Sequence, residues 1–265
     1  MFDLDRFDYT VLGELFDRLC GTHAFLSFMD FNTAERPKRF VLVRHDIDFC
    51  PAAALRMAEF EAERGIQATY FLMFSSPFYN LQDRELAGFP RRLVGLGHEV
   101  GLHYDLPALE AAGDATTVRN LAQRQVELLE TLSGMPVRSV AQHNPSLRSG
   151  GDPVAEAARF VNAYDPAFTK DMPYFSDSCG AWRTATFEHL SAGRFPDKLQ
   201  LLLHPIFWDE TPGQRWGRLE AFLRERHAGL DREYAQVRQI WERHTGLLEH
   251  EQRLAQARPN NSAEE

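Results

Sequence analysis

The sequence predicts an α/β protein built on parallel strands, and three observations carry that reading. Apolar, β-branched runs alternate with stretches of helical periodicity. The run RFVLVRHDID at residues 39–48 ends abruptly in charge, as a buried strand with a polar C-terminal tip does. Five strand tips deliver histidine or aspartate: His45-Asp46-Ile47-Asp48, His103-Tyr104-Asp105, Gln142-His143-Asn144, Ser176-Asp177 and His204-Pro205. Parallel α/β proteins collect their functional groups at that end of the strands.

Taken in order, residues 1–38 read as a helical extension, with Leu12, Leu15, Phe16 and Leu19 at helical spacing. After the strand at 39–48, Pro51 opens a helix with Leu55, Ala58 and Ala62 on one stripe and Gly65 as its stop. IQATYFLMF is the next strand, and strand–helix–strand favours a parallel pair. A helical stretch over 84–96 is expected to break at Pro90. GHEVGLH is a short strand, and ATTVRNLAQRQVELLETLSG the clearest helix, with Val118, Leu121, Leu128 and Leu132 on one side. Strands at 137–142, 160–163, 174–177 and 199–204 bring the expected count to seven. The pattern is helical and charged from 211 to 257, and 258–265 reads as a frayed tail. Residues 39–210 are therefore expected to form the main domain, with no linker inside it.

Composition narrows the function classes. The 265 residues carry 29 Lys+Arg against 38 Asp+Glu, a net charge of −9, which argues against phosphate-mediated nucleic-acid binding. Cys20, Cys50 and Cys179 are too few and too scattered for a disulfide framework or a Cys-x-x-Cys metal site. No window is apolar enough for membrane insertion, and the acidic N-terminal stretch lacks the pattern of a signal peptide. These features set the expectation of a soluble, cytoplasmic protein. Dinucleotide, P-loop and α/β-hydrolase motifs are missing.

Asp46 and Asp48 lie two apart, so they share one face of their strand. Two carboxylates so placed repel unless a cation or strong donors sit nearby. They read as one metal ligand and one general base, or as a helix cap plus a salt bridge to Arg44 or Arg56. His103 and His143 join Asp48 as corners of a His-His-Asp set, which suits Zn²⁺ with an open position. His204 ends the most apolar strand and suits a general acid, with Asp177 orienting its ring. Tyr174, Trp182 and Trp208 lie near the same tips, as stacking surfaces for a sugar or as core. His98, at the opposite strand end, is assigned a structural role. His23, His189, His227, His244 and His250 are taken as solvated.

RHDID, GHEVGLH and LLLH, in that order and with GLHYD, QHNPS, YFSDS and HPIFW between and after them, resemble the polysaccharide deacetylase superfamily, or carbohydrate esterase family 4. They are similar to a divergent branch associated with bacterial surface-polysaccharide clusters. The resemblance spans residues 39–210 and implies a distorted (β/α)7 barrel with added N- and C-terminal helices. It maps Asp46 to the base, Asp48 and His103 to metal ligands, and His204 to the catalytic acid. Asp177 or Arg183 maps to the group supporting that acid, and Arg183 joins the three aromatics as a substrate contact. The sequence departs from the family at Pro107, where a second histidine ligand is usual. His143 is the bottom-up replacement, with Asp105 second, and Arg44 or Arg148 stands in for an arginine that tunes the base.

The implied activity is metal-dependent removal of an N-acyl group, such as acetyl, from a small or lipid-linked amino sugar. The expected ion is divalent, Zn²⁺ first, then Co²⁺, Mn²⁺ or Ni²⁺. Two other classes compete: an inactive sugar-binding relative, and a metal-free glycoside hydrolase using Asp46 and Asp48 about 6–7 Å apart. Homo-oligomers could form through the C-terminal helices.

Overall fold

The computed structural model describes residues 3–32, 36–147, 150–157, 159–182 and 184–256. Among the described residues, eight strands form one sheet in which every pair is parallel: β1 (Ala24–Leu26), β2 (Phe40–Ile47), β3 (Thr69–Leu72), β4 (Glu99–Tyr104), β5 (Ser139–Gln142), β6 (Val161–Asn162), β7 (Tyr174–Ser176) and β8 (Lys198–Leu203). The spatial order is β6-β5-β4-β3-β2-β8-β7, a seven-stranded path with β6 and β7 at its two ends. It is a half-barrel with flanking helices, the α/β architecture that the alternation implied.

The eighth strand, β1, lies inside the segment expected to be helical. One edge of β2 is taken by β8 from Phe40 to His45. On its other edge β3 pairs only from Arg44 onward, and β1 fills the vacancy at Phe40–Leu42. Three residues are too few to show a period-two pattern, which is why the strand is silent in the sequence. The helix expected at the N-terminus is α1 (Tyr9–Cys20), capped by Asp8, whose carboxylate accepts from Val11 N–H. Pro51 opens α2 (Pro51–Ala62) as expected. Pro90 does not break a helix but starts one, α3 (Phe89–Gly95), because the first turn needs no proline N–H. In the long helix Ala115–Ser133 the buried line is Val118, Ala122, Val126 and Leu129, rotated from the expected leucines.

Strand alternation sorts the interior into layers. At the bottom, buried Glu99 accepts hydrogen bonds from Ser139 and Thr69 hydroxyls and from Met29 N–H, which ties β3, β4, β5 and the loop after β1 together. Above it Phe28, Phe40, Leu42, Phe71 and Phe168 pack with Ala141 and Ala163. Gly101 on β4 leaves room for the Phe71 ring, which stands 2.5 Å from where a Cβ would be. The polar tips lie above that apolar layer. On the outer face of β2, His45 meets Glu61 of α2 at 2.8 Å, and Tyr70 donates to the same carboxylate. His98 spans Ala58 O and Ala68 N–H, a structural role as expected. His23 is buried rather than solvated, one ring nitrogen lying 2.9 Å from Pro196 O.

The chain divides into two compact units, Met1–Arg218 and Leu219–Glu265. The expected group of C-terminal helices is a single helix, Arg215–Gln256. None of the described helices is long and apolar enough to cross a membrane. Gly101→Ala should destabilise the sheet unit by about 1–3 kcal/mol through overpacking against Phe71. Thermal unfolding of the variant would measure this, and an unchanged midpoint would refute the layer assignment.

Candidate metal centre

Alternation along β2 places Arg44, Asp46 and Asp48 on one inward face. Arg44 is fully buried, and its guanidinium grips Asp46 with two bonds, Nε to Oδ1 at 3.1 Å and a terminal nitrogen to Oδ2 at 2.6 Å. Gln200 of β8 accepts a third bond, and the guanidinium carbon stands 4.3 Å from the Tyr164 ring centre. Burial alone would raise the Asp46 carboxyl. The Arg44 charge, helped by His103 and His204, overrides it and holds the group below its ordinary value. The salt bridge considered as a surface feature is thus a buried clamp. Of the two arginines considered beside Asp46, Arg44 is the one the structure sets against it, while Arg148 lies outside the described residues.

One strand end away, Asp48 Oδ1 lies 3.1 Å from His103 Nε2 and 3.2 Å from His143 Nδ1, and the two nitrogens are 3.2 Å apart. A tetrahedral ion with bonds of 2.0–2.1 Å sets its ligand atoms about 3.3–3.4 Å apart, so the triangle is close to the size required. Its chemistry agrees. His103 Nδ1 is 2.9 Å from Ala141 O and donates its proton there, so Nε2 is the ring atom turned toward the carboxylate. Asp48 Oδ1 is buried without a hydrogen-bond partner. A buried carboxylate oxygen with two imidazole nitrogens turned to it at this distance is a donor set that fits a cation. Burial would raise the Asp48 carboxyl, but the neighbouring imidazoles hold it well below the usual range. Burial pushes His143 down, and Asp48 more than reverses this.

Asn144 was not singled out from the sequence. Its Nδ2 lies 2.7 Å from His143 Nε2, and its backbone is left-handed (φ 48°). As the amide stands it donates to Nε2, which leaves the ring proton on Nδ1. Turned over, its oxygen accepts from Nε2–H, and Nδ1 is free for an ion. Asp105, the second choice for a ligand, is not in the cluster; it precedes the short helix Leu106–Glu110.

Across the mouth, His204 Nδ1 is 2.7 Å from Asp177 Oδ1, and its Nε2 is 3.9 Å from Asp48 Oδ2. Asp177 is fully buried and also accepts from His204 N–H and from the Trp208 indole N–H at 2.8 Å. Burial lowers the His204 imidazole, yet Asp177, then Asp48 and Asp46, push it up to about 9.

Two of the expected sugar contacts need correction. Trp208 is only 1% exposed, because the turn after Pro205 folds it inward to Asp177, so it offers no face for stacking. Trp182 stacks on Phe7, and its indole donates to Leu4 O, so it seats the N-terminal segment. Tyr174 is half-buried beside Tyr164. Arg183 lies outside the described residues.

No protein-family model and no curated protein matches the chain. Solved structures give distant matches. A CE4 family pseudoenzyme from Bacillus anthracis is 17% identical over 74% of this chain, with a TM-score of 0.44. The peptidoglycan deacetylase PdaC from Bacillus subtilis is 15% identical over 74% of this chain and 96% of its own, with a TM-score of 0.43. A family 4 acetyl xylan esterase from Clostridium thermocellum, in complex with a cobalt ion, is 16% identical over 62% of this chain and 73% of its own, at 0.42. The match covers 63% of the length of the pseudoenzyme, under two thirds. Likenesses this faint leave the chemistry to the side chains.

His103→Ala should lose stoichiometric metal by elemental analysis, whereas the exposed His189→Ala should keep it. Asn144→Ala should weaken the ion about 10–100-fold, the usual effect of removing a ligand's outer partner. Equal metal in His103→Ala and the parent would remove the proposed centre.

Proposed function

We propose that the chain is a metal-dependent hydrolase that removes an N-acyl group from an amino sugar. The supporting observation is the union of three devices at one mouth: the Asp48-His103-His143 triangle, the Arg44-Asp46 clamp and the Asp177-His204 pair. The amino-sugar class rests on the sequence resemblance.

A divalent ion held by Asp48, His103 and His143 would supply Lewis-acid polarisation of the acyl carbonyl and lower the pKa of water from 15.7 to about 7. Asp46 is the proton acceptor. Arg44 lowers its basicity but keeps it ionised and fixes its oxygens beside the triangle. His204 is the proton donor. Asp177 holds its Nδ1–H, so Nε2 is the edge that faces the reacting amide. As the C–N bond breaks and the C–O bond forms, Asp46 takes the proton from water and His204 Nε2 gives one to the departing nitrogen. The products are a carboxylic acid and a free amine.

The metal-free glycosidase reading fares worse. It needs one carboxyl to stay protonated as the general acid, yet Asp46 and Asp48 are both held below the ordinary carboxylate value.

Asp46→Asn should keep its ion and lose about 10²–10⁴-fold in kcat; turnover close to the parent's would show that the base lies elsewhere. A general acid works only while protonated, so activity should fall as pH rises through the His204 pKa. Removing the Asp177 charge takes away the largest influence that raises that pKa against burial. The alkaline limb of kcat/KM should therefore move to lower pH in Asp177→Asn, and a limb that stays in place would exclude His204 as the donor.

A further inference from the structure

Between Leu223 and Leu248 the long C-terminal helix repeats large side chains at spacings of three and four. Positions 223, 227, 230, 234, 237, 241, 244 and 248 form one seam. Leu223, Leu230, Tyr234, Val237, Trp241 and Leu248 occupy six of the eight, and each is 40–69% exposed. His227 and His244 occupy the others, and Ile240 and Leu247 widen the stripe on one side. A seam with a 3.5-residue period is the pattern of a left-handed coiled coil. Such an apolar stripe, flanked by charged residues, implies a partner.

Charges beside the seam say which partner. In a parallel, in-register pair, each residue just before an a position faces the partner residue five further along. That rule sets Arg226 against Asp231 and Glu233 against Arg238. Two-fold symmetry repeats both, giving four opposite-charge contacts. The other flanking pairs in this stretch, Leu219 with Arg224 and Ile240 with Thr245, bring no like charges together. The helix is complementary to itself in both apolar pattern and charge. We propose that it is a homodimerisation surface, which pairs in parallel and in register with the same helix of a second copy. This holds whatever the sheet unit catalyses.

Analytical ultracentrifugation of the full chain at about 20 µM, near the middle of the range for modest affinities, should give twice the 30.3 kDa of one chain. Leu230→Glu/Trp241→Glu should weaken association at least about a hundredfold and leave the sheet unit's melting unchanged. Leu230→Cys in a Cys20→Ser/Cys179→Ser background should form a disulfide-linked dimer on mild oxidation, since parallel in-register pairing alone apposes the two copies of residue 230. A monomeric parent, or a dimer indifferent to Leu230→Glu/Trp241→Glu, would overturn the surface. A dimer that does not crosslink through residue 230 would overturn the parallel register.

Discussion

A guanidinium with no access to water organises this half-barrel. Arg44 is fully buried on β2, and taking such a charge out of water costs several kcal/mol unless geometry compensates. Here compensation comes from three directions: two bonds to Asp46, one to Gln200 of β8, and the face of Tyr164, just beyond β6. The cation therefore fixes how the middle of the sheet sits against the residues beyond its edge. It also fixes the rotamer of Asp46, the neighbour of the Asp48-His103-His143 triangle.

The two histidines of that triangle use different nitrogens. His103 turns Nε2 to the triangle while Ala141 O holds Nδ1, whereas His143 turns Nδ1 to it while Asn144 holds Nε2. Each ring is thus fixed from behind by a group on or beside β5. His204 stands apart, its rear nitrogen fixed by Asp177 and so by the Trp208 indole. Separate anchoring lets the Asp48-His103-His143 triangle and the His204 ring keep different electrostatic surroundings within about 4 Å of each other.

Much of this was legible because parallel strands end where chemistry gathers. Asp46, Asp48, His103, His143, Asp177 and His204 all sit at or just past strand tips, and apolar runs mark those tips plainly. What stayed hidden depends on local conformation. The inward turn after Pro205 makes Trp208 a hydrogen-bond donor rather than a platform, and no residue pattern distinguishes the two. The left-handed backbone of Asn144 and the three-residue β1 leave no periodic trace. Arg44 was readable as a partner for Asp46, two residues away on the same face. That it lies sealed from solvent could be learned only from the neighbours that cover it.

The position of β8 beside β2 has a consequence in time as well as space. The two strands lie side by side although well over a hundred residues separate them along the chain, and contacts so distant form slowly because a long loop must close first. Until Lys198–Leu203 docks, β2 has one open edge, Arg44 lacks its Gln200 acceptor, and His204 is absent from the mouth. During synthesis the remaining strands emerge and can assemble beforehand. The last strand to arrive then closes the sheet, gives the buried guanidinium its Gln200 acceptor and brings His204 to the mouth in one event.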